Sequence, residues 1–134
     1  MKKKYYILLI CILSLIDQVS KLLVIRYLSN NNSFIIINNL LKLLYIKNTG
    51  ISFGILSGQR IVIILLSLLI IGYMSYEFIK SNNKLELISI SLIISGALGN
   101  LVDRLFRGFV VDFISFTFFG YEASFQAQDI FYAV

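Results

Sequence analysis

The residues best suited to chemistry in this chain are two aspartates near its C-terminal end, Asp112 and Asp129. Asp112 stands between a valine and a phenylalanine, a setting in which desolvation can raise the pKa of a carboxyl group. An aromatic stretch separates the two aspartates and can fold back to bring them together. Two adjacent carboxyl groups share a proton, leaving one as base and one as acid near neutral pH. The residues alone leave open a catalytic dyad or two unrelated acids.

A second set of polar residues lies at the ends of apolar segments. Asn100, Asp103 and Arg104 are spaced i, i+3 and i+4, so they share one face of a helix. Arg104 can pair with an acid or hold a carbonyl group of a partner, and an interfacial anchor is the alternative. Asp17 and Lys21 are also four apart and can neutralise each other near a membrane edge, as a structural ion pair.

The composition excludes several kinds of site. The chain has no histidine and a single cysteine, Cys11, which excludes Ser-His-Asp and Cys-His devices and zinc sites built from those ligands. We therefore expect no metal and no cofactor. The net charge of +5 is scattered rather than clustered, so nucleic-acid binding is not expected.

The elements that must position these residues are membrane spans. Apolar residues make up 58% of the 134 residues and charged residues only 14%, against about 25% charged in a typical soluble domain. The apolar blocks predict three transmembrane helices, about 5–25, 60–79 and 85–102, each long enough for roughly 30 Å of hydrocarbon. We expect one integral membrane domain, 1–134, with outer loops about 29–58 and 103–129.

The first outer loop favours strands over a helix. Residues 34–37 and 40–46 are β-prone and bounded by Asn-rich turns, and residues 113–121 are aromatic and strand-like. The fold class is therefore α-helical and membrane-embedded, with a small extracytoplasmic β-cradle. Gly50, Gly54 and Gly58 are spaced by four, which helix packing or turn chemistry explains as well as any function. A cytoplasmic N-terminus is favoured because it places five lysines on the inner side of the membrane, namely Lys2, Lys3, Lys4, Lys80 and Lys84.

Four motifs, in order, resemble the lipoprotein signal peptidases (signal peptidase II) of bacterial inner membranes. D-Q-V-S-K from Asp17 to Lys21 is similar to the family's D-x-x-x-K, and N-T-G-I-S-F-G from Asn48 to its N-x-G-x-x-F/W-G. G-A-L-G-N-L-V-D-R from Gly96 to Arg104 is similar to G-A-x-G-N-x-x-D-R, and V-D-F around Asp112 to the V-D-F that follows it. The resemblance covers residues 1 to about 121.

The resemblance implies a multi-pass aspartic endopeptidase of the bacterial cytoplasmic membrane with its active site near the outer face. It would remove signal peptides from diacylglyceryl-modified prolipoproteins, cutting before the lipidated cysteine. The implied partners are these substrates and membrane lipids, and we expect a monomer. The implied catalytic pair is Asp112 and Asp129. The implied site-lining residues are Asn48, Gly50, Asn100 and Arg104, and the structural polar residues are Asp17, Lys21 and Asp103.

The C-terminal part departs from the family pattern. Where the family has F-N-x-A-D, the chain reads Phe125-Gln126-Ala127-Gln128-Asp129, and we expect it to lack the family's fourth span. One alternative is therefore a truncated, inactive remnant of the enzyme. Another is a small membrane interaction or channel subunit, assembled through the glycines at 50, 54 and 58 and through Ser95 and Gly99.

Overall fold

The computed structural model describes residues 2–51 and 55–116 of the chain. Over these residues it contains three helices and a small sheet, as predicted. The elements are α1 (Lys4–Leu28), β1 (Ser33–Ile37), β2 (Leu41–Asn48), α2 (Arg60–Lys80), α3 (Lys84–Phe106) and β3 (Val110–Phe116). Each helix is long and apolar enough to cross a membrane, with 25, 21 and 23 residues. The predicted fold class is confirmed.

The helices pack in the way expected of membrane spans. Helix α3 packs against both α1 and α2, and its buried face is rich in small residues, including Ser91, Ser95 and Gly99. Small side chains let the neighbouring helices approach closely. Most large apolar side chains instead face outward, such as Leu15, which is 65% exposed, and Leu69, which is 70% exposed. Hydrocarbon can cover such side chains in a bilayer.

A polar side chain caps the start of α3. The Asn83 side chain accepts a hydrogen bond from the Leu85 N–H at 2.9 Å, which caps the start of α3.

At its other end, α3 continues through Phe106, past the predicted end near residue 102. A span prediction stops before charged residues, but Asp103 and Arg104 are buried here among polar partners, so the helix can include them.

The three strands form one antiparallel sheet in the order β1-β2-β3. The central strand β2 pairs with β3 so that Asn48 lies opposite Val110 and Ile46 opposite Asp112. The sheet contacts α1 and α3. The predicted strands at 34–37 and 40–46 are confirmed, whereas the third begins at Val110, earlier than predicted. Residues 117–121 of that prediction lie outside the described part of the chain.

Gly99 on α3 lies directly against the side chain of Asp17 on α1. A Cβ atom at this position would lie 2.9 Å from Cγ of Asp17 and would overlap its carboxylate. A Cβ atom at Gly96, on the same helix, would meet nothing within 4 Å. The glycine at 99 therefore makes room for an acidic side chain from α1.

Replacing Gly99 with alanine is expected to lower the thermal unfolding midpoint by several degrees. Overpacking costs about 1–3 kcal/mol, more than the roughly 1 kcal/mol that alanine gains over glycine in a helix. Gly96→Ala is the matched control and should leave the midpoint unchanged or raise it. Equal midpoints for the two variants, measured in the same detergent, would contradict this role for Gly99.

Candidate active site

Asp112 lies in β3 against the helices and is 9% exposed. Its Oδ2 atom accepts a hydrogen bond from Nδ2 of Asn48 at 3.0 Å. The two residues come from neighbouring strands, with Asn48 at the end of β2. The pairing of β2 with β3 therefore places the predicted catalytic Asp112 beside the predicted site-lining Asn48.

The loop after β2 is held by the same asparagine and by an arginine from α3. Oδ1 of Asn48 accepts a hydrogen bond from the N–H of Gly50 at 2.9 Å, and Nη2 of Arg104 donates to the Gly50 carbonyl at 3.0 Å. A Cβ atom at Gly50 would lie 2.9 Å from the Ile55 carbonyl oxygen. Only glycine therefore fits here without a shift of the loop, and the predicted residues of this loop and α3 converge next to Asp112.

Lys21 is the centre of a buried polar cluster between α1 and α3. It is 2% exposed, and its Nζ atom lies 3.0 Å from Oδ2 of Asp17 and 3.0 Å from Oδ2 of Asp103. It also donates to Oδ1 of Asn100 at 3.1 Å. The Asp17–Lys21 pair is thus one part of a larger cluster, and no spacing along the chain predicts its contact with Asp103.

Asp103 connects this cluster to the strand that carries Asp112. It is fully buried, and its Oδ2 atom accepts a hydrogen bond from the N–H of Val111 at 2.9 Å. Val111 immediately precedes Asp112, so Asp103 fixes the backbone beside the candidate catalytic carboxylate.

Two residues of the cluster were not among the sequence-predicted site residues, namely Gln18 and Arg107. Nε2 of Gln18 donates to Asp17, to the Gly99 carbonyl and to Asp103 at 3.1–3.2 Å. Arg107 contacts the Asp103 carboxylate and donates to Oε1 of Gln18 at 3.0 Å. The available signal was helical spacing, because Gln18 is three residues before Lys21 and Arg107 is four after Asp103.

Arg60, at the start of α2, supports the same end of α3. Its guanidinium group donates to the carbonyl of Arg104 at 2.6 Å and to that of Leu105 at 2.8 Å. Carbonyl groups in the last turn of a helix lack intrahelical partners. Arg60 therefore stabilises the turn that carries the Arg104 side chain.

A cavity of about 90 Å³ adjoins Asp112. Its lining combines charged and amide side chains with apolar ones. It is lined by Asp17, Lys21, Asn100, Val111, Asp112, Phe113 and Ile114. A carboxylate in such a lining can meet a substrate bond in surroundings with little water, where charge interactions are strong.

Burial raises the pKa of Asp112 to about 6, against an ordinary value of 3.8. The hydrogen bond from Asn48 and the positive charges of Lys21 and Arg104 lower this pKa and limit the rise, while the charge of Asp103 adds to it. A carboxyl group with a pKa near 6 can accept or release a proton close to neutral pH.

The structure brings together all but one of the sequence-predicted site residues. Asp129 lies outside the described residues, together with the stretch 125–129 that differs from the family pattern. The expectation about a fourth span also concerns residues outside the described part of the chain. Within residues 2–51 and 55–116, no three side chains of the metal-ligand type form a group. The roles assigned to the individual residues stay predictions.

The chain is similar to known proteins over most of its length. A family model described as signal peptidase (SPase) II matches residues 9–134. The lipoprotein signal peptidase of Fusobacterium nucleatum subsp. nucleatum is 40% identical over 114 residues, covering 83% of this chain and 69% of that protein. That of Clostridioides difficile is 39% identical over 132 residues, covering 96% and 87%.

Two solved structures share the fold. One, described as a bacterial membrane enzyme determined by the in meso method at 2.3 Å resolution, superposes with a TM-score of 0.77 at 35% identity, covering 89% of this chain and 74% of that one. Another, with the same description at 1.9 Å resolution, gives a TM-score of 0.78 at 32% identity, with coverages of 95% and 86%.

Proposed function

Because the chain belongs to the signal peptidase II family, as its motifs predicted, we propose that it cleaves prolipoprotein signal peptides by aspartic chemistry. The observation that carries this proposal is Asp112, a buried carboxyl group with a pKa of about 6 at the wall of a cavity. Asp129 is proposed as its partner. The family itself is a protease family of membrane-embedded enzymes.

The proposed mechanism uses water and one proton shared by the pair. The ionised aspartate takes a proton from a water molecule, whose oxygen attacks the carbonyl carbon of the scissile peptide bond. The protonated aspartate donates its proton to the carbonyl oxygen, which gives a neutral tetrahedral intermediate. Transfer of a proton to the amide nitrogen then breaks the C–N bond and releases the two products. The two carboxyl groups titrate as a pair, so acid and base roles belong to the pair.

The remaining residues position the substrate and the loop. Arg104 and Asn48 hold the loop at Gly50 through the contacts described above, and Asn100 lines the cavity. We assign these residues to contacts with the substrate backbone. The apolar lining residues Val111, Phe113 and Ile114 are suited to the apolar residues of a signal peptide. The cut is proposed to fall just before the diacylglyceryl-modified cysteine.

The orientation that we propose follows from the charges at one end of the helices. Lys3 donates through Nζ to the Phe78 carbonyl at 3.0 Å, so the start of α1 lies beside the end of α2. Lys80 ends α2 and Lys84 begins α3 at the same end. A positive end favours the cytoplasmic side, which puts the sheet and the candidate site near the outer face. We also propose that the protein is a single-domain monomer in the bacterial cytoplasmic membrane.

Replacing Asp129 with asparagine tests the second half of the pair. Without a carboxyl group there, the pair cannot hold one proton and one negative charge, so cleavage should fall roughly a hundredfold or more. The measurement is cleavage of a diacylglyceryl prolipoprotein by membranes containing the protein, with the product mass giving the cut site. Glu122→Gln, in the same C-terminal stretch, is the matched control and should cleave at the wild-type rate.

Several outcomes would contradict the proposal. Undiminished cleavage by the Asp129→Asn variant would remove that residue from the pair. Equal cleavage of lipidated and unlipidated substrate would contradict the proposed requirement for the modified cysteine. Failure of the wild-type chain to cleave either substrate would favour a non-catalytic remnant.

A further inference from the structure

Arg107 lies outside all four motifs, yet it contacts the buried cluster directly. It follows the last residue of α3, and its side chain is 19% exposed, while that of Asp103 is fully buried. Nη1 of Arg107 pairs with Oδ1 of Asp103 and donates to Oε1 of Gln18. The arginine therefore joins the end of α3 to the face of α1 that carries Asp17 and Lys21.

The two oxygens of Asp103 have different partners. Oδ2 is held by Nζ of Lys21 and by the N–H of Val111. Oδ1 is held by Arg107 and, at 3.2 Å, by the amide of Gln18. Without the arginine, Oδ1 would keep only a neutral donor, and Gln18 would lose the cation that fixes its carbonyl oxygen. The orientation of Asp103, and with it the backbone before Asp112, then has weaker support.

Among the described residues, the charges that are ion-paired or directly coupled within this cluster balance only when Arg107 is included. The acids are Asp17, Asp103 and Asp112, and the bases are Lys21, Arg104 and Arg107, so three negative charges meet three positive charges when Asp112 is ionised. Removing Arg107 leaves one uncompensated negative charge in that state. A buried charge without a partner is costly.

We propose that Arg107 is a positioning residue of the active site, which orients Asp103 and supplies the cation that balances the carboxylates behind Asp112. The inference rests on the proposed peptidase function. It assigns Arg107 no contact with the substrate. Its action passes through Asp103 to the backbone of Val111 and to the charge that Asp112 experiences.

The proposal has a definite consequence for pH dependence. Asp112 faces Asn48 from β2, Lys21 from α1, and Arg104 and Asp103 from α3, and Asp17 lines the same cavity. The charge of Asp103 already raises the pKa of Asp112. Loss of Arg107 removes the positive charge paired with Asp103, so we expect the pKa of Asp112 to rise further. Because the two aspartates titrate as a pair, the kcat profile, including its acid limb, should move to higher pH.

The test compares Arg107→Gln with two other arginine variants, using kcat and KM for a lipidated prolipoprotein between about pH 5 and pH 8.5. We expect Arg107→Gln to move the acid limb upward by about 0.5–1 pH unit, which lowers kcat at pH 6 several-fold and leaves KM within about twofold. Arg107→Lys should return the limb toward the wild-type position. Arg26→Gln removes one positive charge from an exposed site on α1 and should not move it.

If the Arg107→Gln protein does not accumulate in membranes, a double variant tests the same charge balance. Asp17→Asn combined with Arg107→Gln makes the cluster neutral again, so accumulation and the acid limb should both recover relative to Arg107→Gln. An unmoved limb in Arg107→Gln, or no recovery in the double variant, overturns the inference. The test of Arg107 is made with a wild-type enzyme that is active and that loses its activity when Asp112 is replaced with asparagine. Failure of the proposed function has a different result, namely an inactive wild type or an active Asp112→Asn variant.

Discussion

Replacing Asp112 with asparagine is expected to lower kcat for prolipoprotein cleavage by roughly a thousandfold or more, because the variant cannot exchange a proton with water or substrate. The amide is nearly isosteric and keeps an oxygen that can accept the hydrogen bond from Nδ2 of Asn48. The loop at Gly50 should therefore stay in place. Rates are measured in membranes at equal protein level, and a rate within tenfold of wild type would contradict the catalytic assignment.

The same variant should not be less stable than the wild type above pH 6. Folding raises the pKa of Asp112 from 3.8 to about 6, so its contribution to stability is fully present below pH 4 and is lost as pH rises through 6. Ionisation of the buried group thus costs the folded protein about 2–3 kcal/mol near pH 7.5. The asparagine cannot ionise, and its thermal midpoint at that pH should equal or exceed that of the wild type.

A comparison of midpoints at two pH values checks this second expectation. The difference between the Asp112→Asn variant and the wild type should be larger near pH 7.5 than near pH 5. If the variant were instead markedly less stable at both values, loss of cleavage would reflect unfolding. The stability measurement thus separates lost chemistry from lost structure.

Replacing Lys21 with methionine is expected to destabilise the protein by about 3–5 kcal/mol. The lysine is 2% exposed and lies 3.0 Å from both Asp17 and Asp103. Its removal takes away the ion-pair partner of Asp17 and leaves Asp103 paired with Arg107. A fall in the thermal midpoint, and a loss of cleavage that follows from the disturbed cluster, are the expected results.

Two further variants keep this prediction sharp. Lys84→Met removes an exposed lysine at the start of α3 and should leave the midpoint near that of the wild type. Asp17→Asn added to Lys21→Met removes the carboxylate whose ion pair is lost, while Asp103 keeps its pair with Arg107, so part of the stability should return. No difference between Lys21→Met and Lys84→Met would show that the buried contacts contribute little.

The sequence alone determined the membrane class and the arrangement of elements, because both depend on local patterns. Long apolar blocks predict spans whatever surrounds them, and the β-prone segments at 34–37 and 40–46 became β1 and β2. Four short motifs in order were enough to indicate the family and to select Asn48, Asp103 and Asp112. Helical spacing also predicted the Asp17–Lys21 pair.

Only the tertiary structure decided how these groups join. Lys21 bridges α1 to Asp103 because Gly99 lets Asp17 lie against α3, and no spacing along the chain encodes that crossing. The continuation of α3 through Phe106 depends on buried partners for Asp103 and Arg104, which a hydropathy pattern treats as reasons to end a span. Gln18 and Arg107 were identified as members of the cluster only from their contacts with Asp103 in the packed structure. Partner choice in a buried polar cluster depends on which helix faces meet, and that is a property of the packed chain.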